Sequence, residues 1–282
     1  MAAAYSSTPL SSVLRALFGK APYFGGTTFG FQGDWRRHVF MAAAAQAAMQ
    51  KGRPVHILEI GSWVGSSALT WAQTLRQFAV AGSSITCVDL WAPFTTTGDI
   101  AKGGIYAEFN ELAKTEVPYE LFRHNTQSIS GAVALHVHRG QSRDILPTLK
   151  KGAYDLVYVD ASHYYEDVLE DLKHAAPLVR DGGIFCGDDL ELQVGEVDLA
   201  QVRAKISEDY THDPKTGRGF HPGVALACHE FFGRRIPCTI GFWYLEKSAG
   251  GYVDPTLINR SIVVPGHFTA EMQAACRTFL GR

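Results

Sequence analysis

Residues 55–65 read VHILEIGSWVG, and this stretch decides the fold of the chain. It begins as a short apolar run and passes into a turn that contains Gly61 and Gly65. Beyond the turn, the small and apolar residues of 68–79 recur at the spacing of one helix face. The stretch therefore predicts a strand that turns tightly into a helix, where glycine lets the backbone approach a ligand closely.

The alternation of strand and helix continues along the chain. Strand-like runs occupy 84–90, 131–138, 154–159 and 184–187, and an amphipathic helix pattern covers 168–179. The second of these runs alternates apolar residues with histidine, as an edge strand does, whereas the third is almost continuously apolar, as a strand buried on both faces is. Strands that alternate with helices predict an α/β fold with a mainly parallel sheet and helices on both faces.

Composition excludes several classes of protein. The 282 residues are 46% hydrophobic and 11% aromatic, which excludes a disordered chain. The net charge of -2 is too low for the positive field that general nucleic-acid binding requires. No apolar run approaches the length of about 18 residues that spans a bilayer. Five cysteines without a CxxC pair argue against a structural zinc site and indicate a reducing, cytoplasmic environment.

Two regions are predicted along the chain. Residues 1–52 are expected to form an N-terminal arm and a capping helix, and residues 53–282 the main domain. The capping helix is expected over 34–51, because Asp34 suits an N-cap position, alanine dominates the body and Gly52 ends it. His38 is interpreted as part of an exposed helix end, with a place in an N-terminal cap over the site as the alternative. The acidic residues between 166 and 171 are interpreted as a solvated helix face.

Polar residues stand where the predicted strands end. In an open parallel sheet, ligands bind at the carboxyl ends of the strands, near the topological switch point. Asp89 closes the second strand, where a carboxylate can accept hydrogen bonds from both hydroxyls of a ribose. With the glycine turn before it and the polar turn Gly140-Gln141-Ser142 after it, Asp89 indicates a nucleoside pocket. The glycine turn by itself is equally compatible with a plain connection between a strand and a helix.

The chain resembles the class I S-adenosylmethionine-dependent methyltransferases, from about Val55 to Asp189 and more weakly to Leu245. Within that class it is similar to the metal-dependent small-molecule O-methyltransferases, which include catechol enzymes and bacterial sugar enzymes of antibiotic pathways. The elements that carry the resemblance are Glu59-x-Gly61-x-x-x-Gly65, Asp89, Gly140-x-Ser142, Asp160-Ala161-Ser162-His163 and Gly187-Asp188-Asp189.

The resemblance implies a fold and a cofactor. The fold would be a Rossmann-like, seven-stranded, mainly parallel sheet with an antiparallel edge hairpin, supplied by 238–245 and 261–264, and residues 53–282 would be the methyltransferase domain. The cofactor would be S-adenosylmethionine, with Glu59 and Gly61 at its methionine end, Asp89 on the ribose and Ser142 at the adenine edge. The full set predicted to bind it is Glu59, Gly61, Ser62, Gly65, Asp89, Gln141, Ser142 and Asp160.

Asp160, Asp188 and Asp189 follow two strands that should be neighbours, and three converging carboxylates repel one another unless a cation joins them. Oxygen ligands favour a hard ion, so the three aspartates are predicted to bind Mg²⁺ or another divalent cation. The alternative is that Asp160 and Ser162 cap the following helix, and that Asp188 and Asp189 form a solvated turn.

His163 and Asp160 are predicted to be catalytic. Catechol enzymes have a lysine as general base at the position of His163, and the histidine found here, as in the sugar enzymes, argues against a catechol substrate. A histidine near its ordinary pKa can remove a hydroxyl proton at neutral pH, with the metal acidifying that hydroxyl. The alternative is a histidine at a helix N-terminus with no chemical role.

The sequence as a whole predicts a magnesium-dependent O-methyltransferase that transfers a methyl group to a sugar or polyol hydroxyl in a natural-product or glycan pathway. The polar segment 191–219 is expected to line the substrate cleft. Partners are expected to be the small-molecule acceptor, with no nucleic acid and no membrane, and a homo-oligomer is left open. The alternatives are a nicotinamide-dependent oxidoreductase or epimerase, disfavoured by the missing GxGxxG, and a non-catalytic cofactor-binding member.

Overall fold

The computed structural model describes residues 19, 22–24, 34–49, 53–79, 81–129, 131, 133–255 and 262–281. Most of the predicted N-terminal arm lies outside these residues, and the domain boundary predicted at residue 52 therefore stays a prediction. Within the described parts of the chain, no helix is long and apolar enough to cross a membrane.

The strands and helices alternate as the sequence predicted. The strands are β1 (His56–Ile60), β2 (Ser83–Asp89), β3 (Val133–Arg139), β4 (Tyr154–Val159), β5 (Val179–Leu190), β6 (Thr211–His212), β7 (Gly219–Phe220), β8 (Cys238–Thr239), β9 (Gly241–Ser248) and β10 (Gly251–Val253). The helices are α1 (Arg37–Ala48), α2 (Ser66–Phe78), α3 (Thr97–Ile100), α4 (Ile105–Ala113), α5 (Val117–Thr126), α6 (Ser142–Ile145), α7 (Tyr165–Ala175), α8 (Leu199–Ala204), α9 (Pro222–Phe232) and α10 (Ala270–Phe279).

One large sheet organises the molecule, with the strand order β10-β9-β5-β4-β1-β2-β3. The five strands from β5 to β3 run parallel, whereas β9 is antiparallel to β5 and β10 is antiparallel to β9. The predicted Rossmann-like fold with an antiparallel edge is confirmed. The chain leaves β1 towards β2 and later returns to β4 on the other side of β1, so the switch point lies between β1 and β4.

The edge hairpin differs from the prediction in its second strand. It is formed by β9 and β10, which are joined by the short turn at Ala249 and Gly250, so the partner strand begins at Gly251 instead of at residue 261. Ile262 and Val263 are buried in a separate cluster with Val39 of α1 and Cys276 of α10, without forming a strand. A short apolar run identifies a buried segment, but it cannot distinguish a strand from a buried loop.

Different helices cover the two faces of the sheet. Met41, Ala44 and Ala45 of α1 pack with α2 and the near face of β1. Val168 and Leu172 of α7 pack with α9 on the opposite face. β4 is buried along its whole length and β3 forms an edge, as predicted. Helix α1 therefore shares the core of the sheet that it was expected to cap.

Candidate active site

A cavity of about 1120 Å³ opens at the carboxyl ends of β1, β2, β4 and β5. Its walls contain most of the residues that the sequence singled out, which are Gly61, Ser62, Asp89, Gln141, Ser142, Asp160, His163, Asp188 and Asp189. Glu59 and Gly65 are predicted site residues that do not line it. The topology therefore collects in one place side chains that lie far apart in the sequence.

The turn after β1 has the tight geometry that the glycines predicted. Gly61 has φ +87°, and a Cβ on it would lie 1.9 Å from the carbonyl oxygen of Asp160. Its N–H donates to the carbonyl oxygen of Val88 at 2.9 Å, while Asp160 N–H donates to Ile60 at 2.8 Å. Gly65 has φ +88° and immediately precedes α2. Only glycine at position 61 lets the ends of β1 and β4 approach so closely.

Glu59 lies beneath this turn. Its carboxylate is fully buried and accepts hydrogen bonds from the Ser62 hydroxyl at 2.8 Å and the Trp71 indole at 3.1 Å, with the Cys87 thiol at 3.3 Å. Burial raises the pKa of Glu59. Because both oxygens face protein donors, Glu59 supports the loop from below. Its predicted contact with the methionine end of the cofactor stays a prediction.

Asp89 joins the glycine turn to the end of β2. One carboxylate oxygen accepts the backbone N–H groups of Ser62 and Trp63, both at 2.8 Å, and the other accepts that of Trp91 at 2.7 Å. Burial raises the pKa of Asp89, against the effect of these hydrogen bonds. Asp89 lines the cavity as predicted, but a ribose hydroxyl would have to share oxygens that already hold the loop.

The polar turn after β3 forms another part of the wall. Gln141 precedes α6, which begins at Ser142, and Asp171 of α7 lines the same part of the cavity. Asp171 is 3% exposed, and burial raises its pKa to about 7. The interpretation of Asp171 as part of a solvated helix face is wrong. The spacing contained the signal, because position 171 lies three residues after Val168 and four before Ala175, on the apolar face.

Among the described residues, the set whose ligand atoms lie within 4.8 Å of one another is His163, Asp189 and His221, whereas the three predicted metal ligands line the acidic end of the cavity without forming such a set. The hydroxyl of Tyr158, which is buried between two of these ligands, lies 2.9 Å from Asp160 Oδ2 and 3.4 Å from Asp188 Oδ2. Burial, with the charges of Asp188 and Asp189, raises the pKa of Asp160 well above its usual value. Burial and the neighbouring Asp189 raise the pKa of Asp188 to about 7.

Arg37 reaches this acidic end from α1. Its guanidinium contacts Asp188 at 2.8 Å, Asp189 at 2.7 Å and Glu191 at 2.7 Å, and donates to the carbonyl oxygen of Ile240 at 2.8 Å. Arg37 was not among the site residues predicted from the sequence. It precedes Met41 by four residues and Ala44 by seven, which places it on the apolar face of α1, and an arginine on such a face indicates a buried partner.

His163 stands between two carboxylates. Its Nε2 lies 3.0 Å from Asp189 Oδ2, and its Nδ1 lies 2.9 Å from Oδ1 of Asp209. Burial opposes the charged ring, yet Asp189 and Asp209 raise the pKa of His163 well above its usual value, whereas the sequence analysis expected an ordinary pKa. The ring packs against His221, whose Nδ1 is 3.0 Å from Glu191 Oε2.

His38 also differs from its prediction. The imidazole is buried, with Nδ1 2.7 Å from the Thr70 hydroxyl and the ring 5.1 Å from that of Phe268. Burial lowers the pKa of His38 to about 3. The residue is therefore a neutral core histidine and not part of an exposed helix end.

The chemistry of the acidic end fits a divalent cation. The carboxylates that meet there belong to Asp160, Asp188, Asp189 and Glu191. Among the described residues, Arg37 is the one lysine or arginine that pairs with any of them. A cluster with more carboxylates than permanent positive charges, in a partly desolvated position, is stabilised by a cation with oxygen ligands.

Comparison with known proteins finds a matching domain model and structures of similar fold. Residues 58–190 match the family model described as methyltransferase domain. The structure of the O-methyltransferase NovP is similar at 18% identity and TM-score 0.51, over 76% of this chain and 80% of that one. The O-methyltransferase TomG from Streptomyces achromogenes is 18% identical with TM-score 0.40, over 86% of this chain and 84% of its own.

One curated relative is the uncharacterized protein y4gI of Sinorhizobium fredii (strain NBRC 101917 / NGR234). It is 25% identical over 167 residues, which is 57% of this chain but only 16% of that protein. The chain thus corresponds to a small part of this relative.

The match agrees with the predicted resemblance to the methyltransferases. Residues 58–190 form a methyltransferase domain. The prediction of a methyltransferase domain is confirmed, and the match does not support the alternative of a nicotinamide-dependent oxidoreductase.

Proposed function

We propose that the protein transfers the methyl group of S-adenosylmethionine to a hydroxyl of a small molecule, and that a sugar or polyol is the acceptor. The observation that carries the proposal is that one cavity contains both groups of predicted site residues. One wall is the glycine turn with Asp89, and another is the cluster of Asp160, His163 and Asp189. A methyl donor held on the first wall would face an acceptor held on the second.

The size of the cavity supports two simultaneous occupants. Pockets for one drug-sized ligand usually measure about 300–1,000 Å³, and this one is about 1120 Å³. The reaction needs the oxygen, the methyl carbon and the sulfur in one line at near-attack distance, so much of the catalysis would be positioning. A cavity that holds both ligands would allow that alignment.

Asp160, Asp188 and Asp189 would hold a divalent cation, with Mg²⁺ as the preferred ion. The cation would act as a Lewis acid that lowers the pKa of a coordinated hydroxyl. His163, whose Nε2 faces Asp189, would accept the hydroxyl proton in its neutral form, which a cation bound at Asp189 would favour by offsetting the charge of that carboxylate. Tyr158 and Arg37 would keep the carboxylates of Asp160, Asp188 and Asp189 in place through their hydrogen bonds.

A hydroxyl-rich acceptor suits the walls beyond His163. Asp209, Tyr210, Arg218 and His221 line this part of the cavity and offer polar atoms that can hydrogen-bond several hydroxyls. A sugar or polyol has many hydroxyls, and a site built to bind them discriminates strongly against molecules that lack them.

The test is a transfer assay with methyl-labelled S-adenosylmethionine and a panel of sugars, nucleotide sugars, polyols and catechols. We expect label in a sugar or polyol, loss of transfer in excess chelator, and recovery with added Mg²⁺. Asp160→Asn should behave like the chelated enzyme, and Asp181→Asn, at an exposed position outside the cavity, should retain activity. Full transfer in chelator would refute the metal proposal, and labelling of catechols alone would refute the acceptor class.

A further inference from the structure

Asp209 lies in the polar segment 191–219 and contacts His163 from the side opposite the acidic end. Its Oδ1 is 2.9 Å from His163 Nδ1, and its Oδ2 accepts the Tyr106 hydroxyl at 3.1 Å. The residue is 8% exposed. Among the described residues, no lysine or arginine pairs with this carboxylate, so its partners are the imidazole and a phenol.

The position of Asp209 is fixed through its backbone as well. Its N–H donates to Asp99 Oδ2 at 3.1 Å, and the Tyr164 hydroxyl donates to the same oxygen at 2.7 Å. Asp99 is 1% exposed and also pairs with Lys102. Asp99 thus connects Asp209 with Tyr164, the residue that directly follows His163.

We propose that Asp209 is a positioning residue that keeps the proton of the His163 ring on Nδ1 and thereby directs Nε2 towards the acidic end of the cavity. This inference rests on the proposed function of His163 as the proton acceptor and assigns a role to the segment 191–219. A neutral imidazole carries one N–H, and the carboxylate beside Nδ1 holds that N–H there. Without Asp209, the neighbouring Asp189 would instead favour the proton on Nε2, which is the nitrogen that must receive the hydroxyl proton.

Long-range ¹H–¹⁵N spectra of the full chain test the inference without an acceptor. His163→Gln assigns the ring signals. We expect Nδ1 to be protonated in the wild type, whether the ring is neutral or charged, and its proton to be protected from exchange with water. In Asp209→Ala the exchange of this proton should accelerate by about tenfold or more, because a hydrogen bond to a charged group is lost. Asp209→Glu should restore part of the protection.

Asp181→Ala is the matched control, since Asp181 is an exposed aspartate outside the cavity. Calorimetric binding of S-adenosylhomocysteine should be unchanged in Asp209→Ala, which separates loss of orientation from loss of the fold. An unprotonated Nδ1 in the wild type overturns the inference, even if Asp209→Ala fails to fold. Unchanged exchange in a folded Asp209→Ala overturns it too. Neither readout depends on methyl transfer, so failure of the proposed function in the labelling assay is a separate result.

Discussion

At the acidic end of the cavity, the guanidinium of Arg37 stands between the carboxylates of Asp188, Asp189 and Glu191. The arginine side chain is 8% exposed, so its charge and those of its partners are largely removed from water. Replacing any one of these four side chains should destabilise the fold, because the charges of the others would remain buried without compensation.

Replacement of Arg37 by methionine should therefore destabilise the fold strongly. We expect the free energy of unfolding to fall by about 3–5 kcal/mol, the usual cost of breaking a buried ion pair from one side. Urea denaturation of the metal-free protein measures it. Arg36→Met is the control, because Arg36 is half-exposed and, within the described parts of the chain, pairs only with Asp34, so its replacement should cost about 1 kcal/mol or less. Equal costs for the two variants would show that the Arg37 cluster does not stabilise the fold.

The side chains at the strand ends could be predicted individually, but their partners could not. Asp160, Asp188 and Asp189 follow apolar runs, and the parallel sheet requires the ends of those runs to meet. Arg37 and Asp209 approach from a helix and a loop, and no local pattern connects either residue to that edge. The sequence marked both only indirectly, Arg37 by its place on an apolar helix face and Asp209 by its place in a polar segment.

At the scale of elements, the turn between β1 and α2 depends on the absence of a side chain at Gly61. That turn packs directly on the backbone at the end of β4, and a Cβ would overlap the carbonyl group of Asp160. The closeness of β1 and β4 is also what brings the glycine turn beside the acidic cluster. The turn and the site therefore both require that the residue at position 61 has no Cβ.

Gly61→Ala and Gly152→Ala form a matched pair that tests this requirement. Gly152 has φ +63° and no atom within 4 Å of an added Cβ, so alanine there should cost only the strain of a left-handed residue, about 1–2 kcal/mol. Gly61→Ala carries the same strain and in addition forces the two strands apart, which should add roughly 1–3 kcal/mol. Urea denaturation compares the two, and S-adenosylhomocysteine binding should weaken only in Gly61→Ala. Similar losses in both variants would contradict the close approach.

Strands with a strong periodic pattern could be predicted from the sequence. The bounds of a strand that begins or ends at a tight turn could not. The runs of β1, β3 and β4 have the composition and spacing of their positions in the sheet. The edge hairpin closes earlier than expected because a turn at Ala249 and Gly250 reverses the chain at once, so Gly251–Val253 supplies the last strand. The apolar residues after it are free to be buried as a loop beneath α1 and α10.

At the scale of the whole molecule, stability should depend on pH through two buried histidines. Burial lowers the pKa of His38 and of His267 to about 3. In the unfolded chain both would titrate near 6.5. Between pH 6.5 and about 3 the unfolded state binds more protons, so the free energy of unfolding should fall as the pH decreases.

His267→Phe should remove its share of this dependence, about 1.4 kcal/mol per pH unit once the unfolded histidine is fully protonated. Urea denaturation between pH 7 and 4.5 measures the difference between variant and wild type. The difference is the informative quantity, because the raised pKa values of Asp160 and Asp171 act in the opposite direction. His136→Phe, on the exposed edge strand, should leave the slope unchanged. Parallel pH profiles of wild type and His267→Phe would contradict the assignment.

The contacts that complete the acidic end join distant parts of the chain. His163 and Asp209 are 46 positions apart, Arg37 and Asp189 are 152 apart, and Arg37 and Ile240 are 203 apart. Contacts of long sequence separation close large loops and carry a high entropic cost, so they form late in folding. During refolding, secondary structure should thus return before the pocket does. A chain still emerging from the ribosome can pair its parallel strands well before residue 240 arrives to receive the arginine of α1.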